Sequence, residues 1–344
     1  MHRKGLVIGI LILMLGVNIG SSFAGDVDVK TISSVGFDGN TLYVGGLGPN
    51  NYTTIQSAID DAVDGDTVFV YDDSSPYYEN IVVNKPINLF GEDRNTTVIH
   101  VVRGTTVVDI IADGVNVTGF TIEGEGNNVG ILIRRYSNST ISNNNISNCI
   151  FGIDLWESKN IIVSENFFDS CDVSITSHGS GIVISGNTLN SSKTLDFLGD
   201  ITSFGGSNNI IVNNTLTNFK GRARKGMRLE GVHHSVIKGN TFNGYDNMAI
   251  HLYSSNFNNV ISGNAFLNNG LGISVGFSMF NTICCNNFIG NNRNAGFAFF
   301  SPFNTWDGNY WDKPRVLPYP IFGLLIPWVK FDWHPAKEPY DIGV

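Results

Sequence analysis

Eight times between Asn144 and Asn309 an apolar residue stands three positions before an asparagine and another stands two positions after it. The asparagines are Asn144, Asn166, Asn187, Asn214, Asn240, Asn264, Asn286 and Asn309. The leading apolar positions are Ile141, Val163, Ile184, Ile211, Ile237, Ile261, Ile283 and Trp306; the trailing ones are Ile146, Phe168, Leu189, Leu216, Phe242, Phe266, Phe288 and Trp311. Spacings of 22, 21, 27, 26, 24, 22 and 23 residues mark stacked structural units. Inside a unit the pattern alternates. In Gly152-Ile153-Asp154-Leu155-Trp156, apolar positions alternate with outward ones, as a half-buried strand requires. Ser158-Lys159-Asn160 then turns the chain and Ile161-Ile162-Val163 starts the next strand. Roughly 23 residues therefore make one circuit of three strands, and stacked circuits turn the Ile, Asn and Phe columns into internal ladders. Asparagine suits the bend because it tolerates left-handed backbone, and stacked copies can satisfy one another's amides.

No 3.6-residue period runs through the repeats, which excludes helical stacking. Two packed β-sandwiches would give no reason for the same phrase in every unit. The pattern predicts an all-β, single-stranded parallel β-helix with three strands per coil. Its first coil needs a cover. Thr54 to Val63 carries Ile55, Ala58, Ile59, Ala62 and Val63 at amphipathic-helix spacing, with Thr53 or Thr54 as N-cap. The strand Thr67-Val68-Phe69-Val70 and the segments at 77–83 and 86–91 follow. At the other end Trp306, Tyr310, Trp311, Tyr319, Phe322, Trp328, Phe331 and Trp333, with several prolines, predict an irregular aromatic cap.

Composition adds the compartment. His2, Arg3 and Lys4, the apolar run Leu6 to Val17 and Ser22-Phe23-Ala24 read as an export signal cut before Gly25. The run is short for a membrane span, and no second span follows it. The expected organisation is a signal peptide over 1–24, an N-terminal segment with capping helix over 25–84, coils over 85–311 and a cap over 312–344. The protein is thus expected to be secreted or on the cell surface. A net charge of −9 excludes ordinary nucleic-acid binding, which rests on basic contacts to phosphate. Four cysteines are too few for a disulfide scaffold. Cys149 and Cys171 lie five residues after successive repeat asparagines, so they stack either as a disulfide or as two free thiols. Cys284 and Cys285 are adjacent on one strand and are expected to face opposite ways.

The phrases YTTIQSAIDDAVDGDTVFV and YYENIVVNKPINLFGE, followed by ISGN-like units, resemble the NosD-like group of right-handed β-helix proteins. The terminal GNYWD and EPYDI phrases resemble those of exported archaeal members. The resemblance spans nearly the whole mature chain and implies the fold, together with carbohydrate-binding or sugar-hydrolase relatives. It specifies no activity, because the matching residues are turn, ladder and cap residues. It also implies an association with copper. His100, His178, His233, His234, His251 and His334 offer no pair spaced to share a strand face, and no Met–His cluster joins them. No metal site and no cofactor are expected.

Stacking the coils brings candidate chemistry together. The first outward column reads Leu132, Asp154, Ser174, Asp196, Arg228, His251, Ser274 and Ala298; the second reads Arg134, Trp156, Thr176, Leu198, Glu230, Tyr253, Gly276 and Phe300. Asp196, Arg228 and His251 would then occupy successive coils about 4.8 Å apart, beside Trp156, Glu230 and Tyr253. The two longest spacings, 27 and 26 residues, fall here and imply loops on this face. One loop carries Lys220, Arg222, Arg224 and Lys225, a basic cluster able to grip a glycan carboxylate.

Catalysis by Asp154, Asp196, Arg228, Glu230 and His251 would suit a polysaccharide lyase or glycoside hydrolase. In that reading Asp154 and Asp196 stand about 9.6 Å apart, near the upper limit for an inverting pair, and Arg228 or His251 acts as a lyase base. Binding alone would use Trp156, Tyr253, Lys220, Arg222 and Arg224 on a polysaccharide or cell-surface glycan. An ion-pair ladder on a purely structural or adhesive surface protein is the third reading. No epimerase, pectate-lyase or polygalacturonase phrase is present, and carboxylates are sparse on the face. Binding without turnover is the reading preferred.

Overall fold

A computed structural model describes residues 39–191, 198–218, 224–324 and 328–342. The expected signal peptide, Asp196, Lys220 and Arg222 lie outside the described residues. The chain winds into a parallel β-solenoid of about 11 turns. Its three parallel sheets hold 12, 11 and 10 strands. The first runs from Thr41–Val44 and Thr67–Val70 to Thr305–Asp307. The second runs from Tyr77–Tyr78 to Tyr310–Trp311, and the third from Ile81–Val83 to Arg293–Ala298. One coil shows the plan: Thr140–Ser142, Asn145–Ser147 and Phe151–Lys159 serve the three sheets in turn.

The repeat asparagines stand at the corner between the first and second sheets, all at most 1% exposed. From Asn166 to Asn309 each Oδ1 accepts two hydrogen bonds from the preceding coil, one from an asparagine's backbone N–H and one from its Nδ2, while Asn144 Oδ1 accepts Phe120 N–H. Asn187, for example, donates to Asn214 Oδ1 from both groups at 2.9 Å. Each Nδ2 also reaches back to a carbonyl, as Asn214 does to Ile184 at 2.9 Å. The predicted ladder therefore satisfies its buried amides coil by coil. The residue before each asparagine has a positive φ, which Asn, Gly or Glu supplies in most coils. A second polar ladder, unseen in the sequence, runs along the corner between the third and first sheets through Asn209, Ser235, Asn259, Asn281 and Asn304.

Both apolar columns are buried. Phe242, Phe266, Phe288 and Trp311 stack at 5.3, 4.7 and 4.5 Å between ring centroids, and Tyr319 closes the stack at 4.1 Å. Tyr319 belongs to an antiparallel hairpin of Tyr319–Phe322 and Val329–Asp332. Trp306 and Trp311 thus lie inside the last coil, whereas Phe322, Trp328 and Trp333 are exposed. The hairpin also supplies Asp332, which is fully buried and takes the place of the next repeat asparagine. Its Oδ2 accepts Asn309 N–H at 2.9 Å, Asn309 Nδ2 at 3.1 Å and the Trp311 indole N–H at 3.0 Å.

At the other end the helix spans Ile55–Asp61 and buries Ile55, Ala58 and Ile59. Thr54 caps it by accepting Ser57 N–H, and the Glu79 carboxylate accepts Ile55 and Gln56 N–H, both at 2.9 Å. Val63, expected on the buried stripe, is exposed because the chain is already extended at Ala62.

Cys149 and Cys171 occupy neighbouring rungs as buried thiols that form no disulfide, donating to the carbonyls of Ser147 and Ile146. Cys284 and Cys285 do not face opposite ways. A φ of +57° at Cys285 turns the chain at a corner, and the Cys284 thiol donates to Cys285, holding the Cys285 thiol low and Cys284 high.

Candidate functional site on the third sheet

Strand pairing sets the outward columns of the third sheet. The first runs Asp109, Leu132, Asp154, Thr176, Thr202, Arg228, His251, Ser274 and Gly296. The second runs Arg134, Trp156, His178, then Phe204, Glu230, and then Tyr253, Gly276 and Ala298. Asp154, Trp156, Arg228, His251 and Tyr253 stand in these outward columns, and Glu230 shares the rung of Arg228. Ser174, Leu198, Ala298 and Phe300 do not hold their expected places. The rung before Arg228 is occupied by Thr202, not by Asp196. The cause is the position of the insertions. Fifteen residues separate Asn187 from Thr202, where ten separate Asn144 from Asp154, so the extra residues enter before the third-sheet strand begins.

The side chains form a continuous strip. Trp156 packs on His178 at 4.1 Å between centroids, and His178 stacks on Phe204 at 4.8 Å. The Arg228 guanidinium carbon lies 5.8 Å from the Phe204 ring centroid and 5.3 Å from that of Tyr253, within cation–π range of both. Arg228 also pairs with Glu230 at 2.7 Å. Tyr253 sits 5.3 Å from His251. Trp156 and Tyr253 are 39% and 36% exposed and bracket the strip, while the Arg228 side chain is only 16% exposed. His178 and Phe204 were not legible as members because the sequence alignment was two and six residues out in those coils.

Electrostatics distinguish the two histidines from ordinary surface imidazoles. Burial pushes His251 down to about 4, and the positive charges of Lys225 and Arg228 add to the effect. His251 Nδ1 is buried without a hydrogen-bond partner. Burial lowers His178 as well, against the opposing pull of Asp154 and Glu157. Asp154 accepts the Thr176 hydroxyl, which anchors it to the sheet.

Carboxylate geometry bears on catalysis. Asp154 is three rungs from the level of Glu230, about 14 Å by strand spacing and beyond the reach of an inverting pair. Asp109, missed in the sequence because the column was begun at Leu132, stands two rungs from Asp154, about 9.6 Å. Burial raises its carboxyl, with Arg134 opposing.

Arg224 requires a correction. It is 1% exposed, pairs with the buried Asp200 at 3.4 Å and donates to the Asp172 carbonyl, so it cannot touch a polymer. Tyr245 hydroxyl donates to the same Asp200 at 2.5 Å. The long repeat spacing suggested an exposed loop residue; the corner turns it under the coil. Among the described residues no three His, Cys, Asp or Glu converge as a metal site would require. A concavity of about 540 Å³ lies along a different corner, against Asn213, Lys238, Gly263, Cys285 and Tyr340, and none of the candidate residues lines it.

The family model for the periplasmic copper-binding protein NosD matches residues 59–220 and 200–316. The chain belongs to the NosD family. A cell surface glycoprotein of Methanothermus fervidus is 31% identical over 151 residues, 43% of this chain and 22% of the glycoprotein, so the match spans about a fifth of that relative. Solved structures share the fold at low identity. The enzymatically active domain of tailspike protein 2 from bacteriophage CBA120 has a TM-score of 0.60 at 14% identity, covering 87% of this chain and 51% of that one. PfbA, a surface adhesin of Streptococcus pneumoniae, gives 0.56 at 15%, covering 83% and 95%. The tailspike of E. coli bacteriophage HK620, solved with a pentasaccharide, gives 0.53 at 12%, covering 78% and 62%.

Proposed function

From membership of this β-helix family, we propose that the protein is exported to the cell surface or beyond and binds a glycan or another extracellular polymer along the third sheet, without turning it over. The observation that carries the reading is the strip Trp156–His178–Phe204–Arg228–Tyr253. It alternates aromatic faces with a cation over five successive rungs, about 19 Å of the solenoid. Aromatic rings pack on the apolar faces of sugars, and a guanidinium engages hydroxyls or a uronate carboxylate. Lys220 and Arg222, which lie outside the described residues, are further cations the sequence offers for an acidic polymer. The surface glycoprotein relative and the oligosaccharide-bound tailspike support the reading as similarities.

Retention on a glycan array tests it: the protein should bind a polysaccharide without releasing product, and Trp156→Ala or Tyr253→Ala should weaken retention about tenfold or more. An array with no retained glycan sinks the binding reading.

One observation favours a second reading. His251 is held neutral next to Arg228, an arrangement of base and carboxylate neutraliser that a uronate lyase would use. Incubation with uronate polysaccharides would then yield unsaturated ends that absorb in the ultraviolet, and His251→Ala or Arg228→Ala would abolish them. If neither binding nor cleavage is found, a structural role in the cell surface is the reading that remains.

A further inference from the structure

Two corner columns between the third and first sheets hold left-handed backbone in almost every coil. One reads Gly114, Asn138, Asn160, Gly181, Asn208, His234, Asn258, Phe280 and Phe303, with φ between +49° and +71° throughout. The other reads Arg135, Glu157, Gly205, Gly231, Ser254, Phe277 and Phe299, with φ between +49° and +70°. Small or amide residues relieve the clash that a left-handed L-residue suffers, and bulky aromatics do not. Yet in the last two coils both columns change to phenylalanine at once. Phe280 and Phe303 occupy a column that otherwise holds Gly or Asn in all coils but that of His234, and Phe277 and Phe299 one that holds no other aromatic, so something other than the turn selects them.

What they offer is surface. Phe277, Phe280, Phe299, Phe300 and Phe303 are each 42% to 64% exposed. At about 200 Å² per ring they leave about 500 Å² of aromatic surface in water, at the upper end of the largest patch on an ordinary monomer. Phe277 stacks on Phe299 at 4.4 Å and Phe280 on Phe303 at 5.2 Å, with planes within 12°. Stacking hides part of each ring face against its neighbour. No charged residue lies in 276–281 or 298–304, on a chain of net charge −9. Lys330, the nearby cation, is turned to the Ser301 carbonyl and the Phe297 ring.

We propose that this corner is the seat of a second copy of the chain. A two-fold contact buries the same patch on both partners, so an uncharged patch brings no acidic surface against its twin. About 500 Å² of aromatic core with a rim of neighbouring atoms reaches the roughly 800 Å² per partner of a standard interface. The net negative charge disfavours the alternative of an anionic bilayer.

The columns themselves supply the test. Phe280→Asn with Phe303→Asn restores the residue that earlier coils use, so the fold is kept while the patch is lost; Phe277→Gly with Phe299→Gly does the same for the second column. Sedimentation equilibrium of the purified full chain should give a dimer for the unaltered protein. Either double variant should weaken it about 100-fold or more, with thermal stability unchanged or raised. A monomeric unaltered protein at every concentration overturns the proposal, as does a dimer indifferent to both variants. Vesicle or glycan binding lost on the same substitutions, with no dimer, would assign the patch to a bilayer or a sugar instead.

Discussion

The asparagine ladder ends on a carboxylate, and removing that carboxylate should unravel the solenoid from its C-terminal end. Asp332 is fully buried, and its Oδ2 accepts three hydrogen bonds, from Asn309 N–H, Asn309 Nδ2 and Trp311 Nε1. Its Oδ1 accepts Gly308 and His334 N–H, both at 3.2 Å. In Asp332→Ala the Asn309 Nδ2 keeps its bond to the Ile283 carbonyl at 2.9 Å, but the Asn309 amide and the Trp311 indole N–H are left buried without a partner. Each such orphan costs about 1–3 kcal/mol, so the last coil should lose about 2–6 kcal/mol. Asp332→Asn keeps one oxygen for the three Oδ2 donors and forfeits the two weaker Oδ1 contacts, a loss of about 1–2 kcal/mol. Because each coil touches only its neighbours, the damage should stay local.

Amide hydrogen exchange resolves this directly. Protection at Asn309, Tyr310 and Trp311 should fall in the alanine variant, fall less in the asparagine variant, and hold at Asn144 and Asn166 in both. Equal effects of the two variants, or uniform loss along the solenoid, would refute the view of Asp332 as the terminal acceptor of the ladder.

Three further outcomes follow from the same structure. His251 titrates near 4 when folded and near 6.5 when unfolded, so the unfolded chain binds its proton first. This contribution to stability is unaffected above about pH 6.5, is lost as pH falls towards 4, and changes no further below; urea midpoints measured across that window should decline less steeply in His251→Gln. Cys149 and Cys171 should stay unreactive to thiol reagents until the coils unfold, and a non-reducing digest should contain no peptide linking them; a cross-linked peptide would contradict the absence of a disulfide. Glu79→Gln should loosen the cap helix, because the carboxylate that receives Ile55 and Gln56 N–H loses its charge, costing about 0.5–1 kcal/mol by urea unfolding; an unchanged midpoint would show that Thr54 alone suffices.

Much of the architecture was legible because a solenoid repeats its constraints. The interval from Ile141 to Asn144 to Ile146 recurs wherever a strand, a left-handed corner and a strand must follow one another, so one coil predicts the next. Along the candidate face the interval from asparagine to outward strand is not constant. It is ten residues at Asp154, Thr176 and Ser274, but fifteen at Thr202 and fourteen at Arg228. Insertions at the second corner shift the strand without altering the repeat phrase, which aligns Asp196 with Arg228 and hides Phe204, whereas His178 stands at the same interval as Trp156. Arg224 was misjudged for a related reason: strand alternation gives no warning when a corner turns a charged residue inward towards Asp200.

The sequence by itself determined the coil, its period, its two apolar columns and its asparagine column, since each depends on contacts that every neighbouring coil repeats. Tertiary structure alone decided the strip of rings around Arg228, the burial of Arg224, the closure of the ladder by Asp332 and the phenylalanine corner. Those features join residues from different coils or from the cap, and the register that brings them together is set by hydrogen bonding between strands about 25 residues apart in the chain.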